Sequence, residues 1–175
     1  MKFLTLLFLC VCFFILPGCS GTDDPYLAFE DGDFKRSFDL WMPLAEAGDT
    51  DAQNYIGIQY YLGLGVKRDY MQALNWYGMA AKQGFPDAQR NLGDLYHYGR
   101  GVPRDYYTAF IWYFAASQQG NENAKRLLDN LSGENKLTPN QQMHAKLEAN
   151  EYIADPALRF KSHDTYVDTE KKLAQ

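Results

Sequence analysis

The chain repeats itself at a fixed distance of 36 residues. Residues 52–87 and 88–123 align without a gap and are identical at sixteen of their 36 positions. A period of this length is typical of chains that stack one small structural unit on the next, so that the core runs along the stack. The repeat therefore predicts an elongated solenoid, and it constrains the fold more than any other feature of the sequence.

Each unit has the pattern of two helices joined by a glycine-containing loop. In the first unit Ala52, Ile56 and Tyr60 are spaced four residues apart and share one face of a helix, which we call helix A. We expect helix A over about residues 52–62 and a second helix, helix B, over about residues 70–83. The predicted fold class is all-α.

The loop between the helices carries clear end and start signals. Gly63 and Gly65 end helix A, and Asp69 stands where the N-cap of helix B belongs. The Gly-x-Gly pair lacks the preceding strand and the longer glycine spacing of a phosphate-binding loop, so we interpret it as a turn. Asp69 and its equivalent Asp105 are interpreted as caps rather than as catalytic carboxylates.

Most of the other recurring positions are explained by packing. Gly57 recurs as Gly93, which indicates that a neighbouring helix passes too close to helix A for a side chain. We expect the recurring aromatic side chains to form the core and the contacts between units: Tyr60, Tyr70, Trp76, Tyr96, Tyr106 and Trp112.

Partial copies flank the two full units. Residues 34–48 repeat the helix B pattern, residues 124–131 repeat the helix A pattern, and Thr138-Pro139 has the cap signals of a last helix over about 139–153. The predicted organisation of the solenoid, residues 27–153, is a half repeat, two full repeats, and a degenerate repeat with a capping helix: 27–51, 52–87, 88–123 and 124–153.

The full signature is Ala-x₃-Ile/Leu-Gly-x₂-Tyr-x₂-Gly-x-Gly-Val-x₂-Asp-Tyr-x₂-Ala-x₂-Trp-Tyr-x₂-Ala-x₃-Gly. It resembles the Sel1-like repeat, a relative of the tetratricopeptide repeat, closely over residues 27–131 and more loosely over 137–153. The resemblance implies a right-handed α-solenoid of helix pairs. It also implies a protein-interaction scaffold, whose partner would be an unknown protein or peptide, and bacterial members of the family are often exported.

The N-terminus looks like an export signal. An apolar run from Phe3 to Leu16 follows Lys2, and at ~1.5 Å per helical residue this run is too short to cross a bilayer. The following residues, Leu16-Pro17-Gly18-Cys19-Ser20, resemble a bacterial lipobox, in which Cys19 is the residue that is lipidated. The alternative is an ordinary signal followed by an incidental cysteine.

The lipobox resemblance implies a signal peptide at 1–18, a short linker at 19–26 and a membrane attachment through the lipid on Cys19. The protein would then be lipid-anchored in the bacterial cell envelope. Because Ser20 follows the cysteine, the sequence also resembles an outer-membrane sorting signal, which implies a periplasm-facing position in a Gram-negative cell. Cys10 and Cys12 would leave with the signal.

Composition argues against several other functions. The net charge is −5, and no run of Lys or Arg exceeds two residues, so we expect no nucleic-acid binding. The histidines are scattered and the cysteine spacings suit no metal, so we expect neither a metal nor another cofactor. No Ser-x-x-Lys motif occurs, and the repeats lack the paired cysteines of β-lactamase-like relatives. We therefore expect no enzyme, with a β-lactamase-like or peptidoglycan-acting exported protein, or a purely structural envelope protein, as alternatives.

Function is expected at positions that do not recur, because packing occupies the others. On helix A these positions lie roughly opposite the packed face, and in the family they would line the concave surface. The candidate partner-binding residues on this face are Tyr55, Ile58, Leu62, Asp94 and Tyr98.

Two other interpretations of this face stay open. Either the N-terminal segment 25–48 or the polar tail 154–175 covers it. His97 is expected on an exposed helix face, either as a solvated residue or as a binding contact.

Overall fold

The computed structural model describes residues 23–154, which form eight α-helices and no strand. The proposed signal at 1–18, Cys19 and the tail beyond residue 154 lie outside the described residues. In chain order the helices are α1 Pro25–Glu30, α2 Phe34–Glu46, α3 Thr50–Leu62, α4 Tyr70–Lys82, α5 Pro86–Tyr98, α6 Tyr106–Gln118, α7 Glu122–Gly133 and α8 Pro139–Ala154.

Each helix packs on its neighbour in the chain from α1 to α7, and α8 packs against α6. The predicted all-α solenoid is confirmed. The first full repeat consists of α3 and α4 and the second of α5 and α6. Within residues 23–154 no helix combines the length and the apolar character needed to span a bilayer.

The predicted caps of helix B are confirmed in both repeats. Asp69 Oδ1 accepts hydrogen bonds from the backbone N–H groups of Met71 and Gln72 at 2.9 and 3.1 Å. Asp105 caps α6 in the same way. Thr138 and Gln141 form a reciprocal capping box at the start of α8, since each side chain accepts a hydrogen bond from the other residue's backbone N–H.

The glycines of helix A recur because a tyrosine of helix B lies against them. A Cβ on Gly57 would stand 2.5 Å from the Tyr77 ring, and one on Gly93 would stand 2.6 Å from the Tyr113 ring. Both tyrosines are buried. The two helices of each repeat can therefore approach this closely only where helix A has no side chain.

The second glycine of each Gly-x-Gly pair holds one repeat against the repeat before it. Gly65 has φ +71°, and a Cβ there would lie 2.4 Å from the carbonyl oxygen of Phe34 at the start of α2. Gly101 has φ +76°, and a Cβ there would lie 2.8 Å from the Cβ of Tyr70, the residue equivalent to Phe34. The loop therefore rests on the start of the preceding helix B.

The recurring aromatic residues all pack into the core, although to different depths. Trp112 is only 9% exposed, within a cluster that joins α4, α5 and α6. Trp76, the equivalent residue, is half-buried against a cluster formed by α2 and α3. The recurring tyrosines at 60, 70, 96 and 106 are likewise half-buried against these clusters.

A repeated glutamine brace joins three consecutive helices, and its role was not apparent from the sequence. Gln53 Nε2 donates to the carbonyl oxygen of Ala45 at 3.1 Å, and Gln83 Nε2 donates to Gln53 Oε1 at 2.8 Å. One repeat later Gln89 and Gln119 form the same bonds at 3.2 and 2.7 Å. The bonds from Gln53 and Gln89 to the preceding helix are buried and fix the register between repeats, because leaving either polar partner unmatched would be costly.

Candidate functional site

The five residues of the proposed binding face do not share one exposed surface. Leu62 and Tyr98 are exposed, at 54% and 47% of their surface, as expected. Ile58 is half-buried beside the core. Tyr55 and Asp94 have other partners, and the expectation that they are exposed is wrong.

Tyr55 lies beneath the N-terminal helices. Its ring stacks on Trp41 with the centroids 5.1 Å apart and the planes 11° apart, and the edges of Tyr26 and Phe29 meet it at 5.0 and 5.6 Å. The segment 25–48 therefore covers this part of the face, as one of the open interpretations stated. The reason is α1, a short helix that the repeat pattern did not predict.

Asp94 is bound on both carboxylate oxygens. The Tyr113 hydroxyl donates to Oδ1 at 2.7 Å, and Arg90 Nη1 donates to Oδ2 at 2.8 Å. Burial raises the pKa of Asp94 above its usual range, although both hydrogen bonds favour the ionised form. Asp94 is therefore a structural acceptor for a core tyrosine and a neighbouring arginine.

Three of the five residues nevertheless line a single pocket between α3, α4 and α5. The pocket has a volume of about 280 Å³. Ile58 and Leu62 of α3 and Asp94 of α5 stand on its two sides. The other lining residues are Tyr61, Tyr77, Arg90 and Asn91.

A polar contact fixes the two helices beside this pocket. Asn91 Nδ2 donates to Asn54 Oδ1 at 2.9 Å, and both side chains are buried. Because this bond joins α3 to α5, the pocket is preformed across the junction of the two repeats.

An arginine stands beside the pocket between two tyrosines. The Arg100 guanidinium lies 5.1 Å from the centroid of the Tyr61 ring and 5.2 Å from that of Tyr98. Tyr61 also lines the pocket, so the arginine and the pocket are adjacent. We call this combined surface, comprising the pocket, Tyr98 and Arg100, the α3/α5 groove.

Arg100 was not predicted from the sequence, although a signal was present. Arg100 is the middle residue of the second Gly-x-Gly turn, where the first copy has Leu64. Because the first turn forms with Leu64 at this position, the second turn does not need the charge of Arg100, which is therefore available for another role. The roles of Arg90 and Asn91 in the groove were also missed.

His97 is half-buried rather than solvated. Its ring lies 4.6 Å from Tyr98, 5.5 Å from Tyr106 and 6.0 Å from Tyr113, measured between centroids. Burial lowers the pKa of His97. The expectation of a solvated histidine is therefore wrong, and its aromatic neighbours explain why.

A second, open pocket of about 770 Å³ lies on the loop between α3 and α4. Its lining includes Asp69, whose carboxylate already caps α4. Among residues 23–154, no three or more potential metal ligands come together.

Comparisons with known proteins agree with the repeat architecture. The Sel1 repeat family matches residues 50–85 and 86–121, and these two matches begin at the first residues of α3 and α5. No curated protein matches the chain.

Two solved structures are similar to this chain. One is a protective antigen present in uropathogenic Escherichia coli strains that displays an SLR fold, with 33% identity and a TM-score of 0.69 over 74% of this chain. The other is a Sel1 repeat protein from Oxalobacter formigenes, with 28% identity and a TM-score of 0.61 over 73% of this chain. The chain spans only 28% and 52% of those two proteins, respectively.

Proposed function

Because residues 50–121 of this chain are two Sel1 repeats, a module that generally mediates protein–protein interaction, we propose that the protein is a membrane-anchored interaction scaffold in the bacterial cell envelope. Its ligand is a protein or a peptide segment, and the α3/α5 groove is the binding surface.

The groove itself is the observation that carries this proposal. It combines a preformed pocket with side chains that remain exposed after the solenoid has packed, namely Leu62 and Tyr98. Exposed apolar residues beside a preformed pocket are typical of recognition sites. The recurring positions are occupied by packing, so the groove consists mostly of residues that differ between the repeats.

The chemistry of the groove favours binding over catalysis. Its one carboxylate, Asp94, is held by Tyr113 and Arg90, and no serine, cysteine or histidine lines the pocket within the described part of the chain. A nucleophile beside a general base is what acyl transfer or hydrolysis needs. These features support a non-enzymatic function.

A crosslinking experiment in living cells tests the groove. We expect a photoreactive amino acid at Leu62 to form covalent adducts with a partner, because this side chain is 54% exposed beside the pocket. The matched control is Met79, which is 39% exposed on α4 and does not line the groove. No adduct at Leu62, or the same adducts at both positions, would contradict the proposed surface.

Membrane attachment has its own test. If Cys19 is the lipidated residue, Cys19→Ser prevents acylation and leaves a longer, unprocessed precursor. We expect the variant to lose incorporation of a fatty-acid probe completely, measured by gel fluorescence after metabolic labelling. Labelling that persists in the variant would show that the lipid is elsewhere, and recovery of the wild type in the inner membrane alone would contradict the proposed outer-membrane position.

A further inference from the structure

The α3/α5 groove carries one arginine, Arg100, that forms no ion pair with a carboxylate of the described chain. Arg90 pairs with Asp94 at 2.8 Å, so their charges cancel. Within residues 23–154, Arg100 forms no ion pair and its side chain forms no hydrogen bond. The protein as a whole has a net charge of −5, so this local surplus runs against the overall charge.

Arg100 is also held in place. Tyr61 and Tyr98 contact its guanidinium from the ends of α3 and α5, at 5.1 and 5.2 Å. Stacking on aromatic faces leaves the N–H groups at the edge of the guanidinium available, and their planar fork matches the two oxygens of a carboxylate. A side chain already fixed by its neighbours loses less conformational entropy when a ligand binds.

The adjacent pocket suits a single side chain. Its volume of about 280 Å³ falls just below the range of about 300–1,000 Å³ that is usual for whole small-molecule ligands. Its wall on α3 is apolar and consists of Ile58, Leu62 and the Tyr61 ring, whereas its wall on α5 is polar. Because Tyr61 contacts Arg100 as well, a ligand that fills the pocket places its neighbouring residue close to the guanidinium.

We propose that the α3/α5 groove recognises a segment of a partner protein that carries an acidic side chain next to a large apolar one. The acidic carboxylate binds Arg100, and the apolar side chain enters the pocket beside Leu62. This inference rests on the proposed function, since it specifies the chemistry of the partner at the same surface.

The test uses the full processed protein in detergent and four fluorescent heptapeptides with blocked ends. Their central pair is Glu-Leu, Gln-Leu, Lys-Leu or Glu-Ser. We expect the Glu-Leu peptide to bind at least tenfold more tightly than each of the others in an anisotropy titration, because only this peptide supplies both the charge and the apolar group. The preference for Glu over Gln should shrink as salt is raised.

Variants of Arg100 test whether this residue binds the acidic side chain of the peptide. Arg100→Gln should abolish the preference for Glu-Leu over Gln-Leu, and Arg100→Glu should reverse the preference in favour of Lys-Leu. The matched control is Arg104→Gln, because Arg104 also lies over a tyrosine, 6.0 Å from the Tyr106 centroid, but Tyr106, unlike Tyr61, does not line the pocket. This control should keep the wild-type preference. Circular-dichroism melts verify that each variant is folded.

Two results would overturn the inference. One is that the wild-type protein binds the Glu-Leu and Lys-Leu peptides equally well, or binds none of the four peptides. The other is a preference for Glu that persists in the Arg100→Gln variant.

If either result occurs while Leu62 still crosslinks to a partner in cells, only the proposed acidic specificity is wrong. Absence of Leu62 adducts in cells would instead contradict the groove as the binding surface of the scaffold. If Arg100→Gln fails to fold, an unchanged preference for Glu at high salt in the wild type would overturn the inference in its place.

Discussion

Replacing Trp112 by alanine is expected to lower the free energy of unfolding by about 3–5 kcal/mol, which is the usual cost of removing a buried aromatic side chain. Trp112 is 9% exposed and belongs to the cluster that joins both full repeats through α4, α5 and α6. In a stack, each repeat is stabilised mainly by its neighbours. The cavity should therefore loosen α4 as well as the helices of its own repeat.

The equivalent residue in the first repeat provides the control. Trp76 is half-buried, so Trp76→Ala removes less buried apolar surface and should cost clearly less than Trp112→Ala. Thermal melts give the ranking, and amide hydrogen exchange reports which helices loosen. Equal losses for the two variants would mean that the different burial of Trp76 and Trp112 does not determine the cost of removing them.

The helices themselves follow from signals that lie close together in the sequence. Asp69 and Asp105 determine where α4 and α6 begin, and the observed bounds of α3 and α4 lie within two residues of those predicted. Caps and apolar periodicity act over one or two turns, so one sequence is enough to predict them. Repetition then extended this interpretation from one unit to the other.

The binding face was harder to predict because distant residues determine which positions are exposed. Tyr55 lies on the side of α3 that faces away from the recurring stripe, but Tyr26 and Phe29 of α1 reach it from more than 25 residues away. Asp94 appeared free because its partner Tyr113 belongs to the next helix. A helical wheel shows which residues share a face; the neighbouring helices decide which faces remain open.

In the groove, the two repeats have different residues at equivalent exposed positions. Leu62 and Tyr98 are equivalent residues, each the last of its helix A, and both are exposed. Leu64 and Arg100 are equivalent positions of the turn that follows. The recurring residues pack the helices of the solenoid. The residues that differ between equivalent positions determine the charge and polarity of the groove.

The close approach of the helices within each repeat leads to the last prediction. Gly57→Ala should destabilise the protein by about 1–3 kcal/mol, the usual range for overpacking a filled core. The added Cβ would stand 2.5 Å from the ring of Tyr77, which is buried and 2% exposed, so the ring or the helix that carries it must shift. The gain of up to about 1 kcal/mol from the better helix propensity of alanine offsets only part of this cost.

Gly78 is the matched control, since it lies in the interior of α4 with nothing within 4 Å of an added Cβ. Gly78→Ala should therefore stabilise the protein by up to about 1 kcal/mol through the same propensity gain. For a chain of this size, a difference of 1 kcal/mol corresponds to a shift of about 2–4 °C in the melting temperature. The two variants make the same chemical change and are expected to shift the melting temperature in opposite directions. A higher melting temperature for Gly57→Ala would show that helices α3 and α4 are not in contact at Gly57, and the packing derived for both repeats would be wrong.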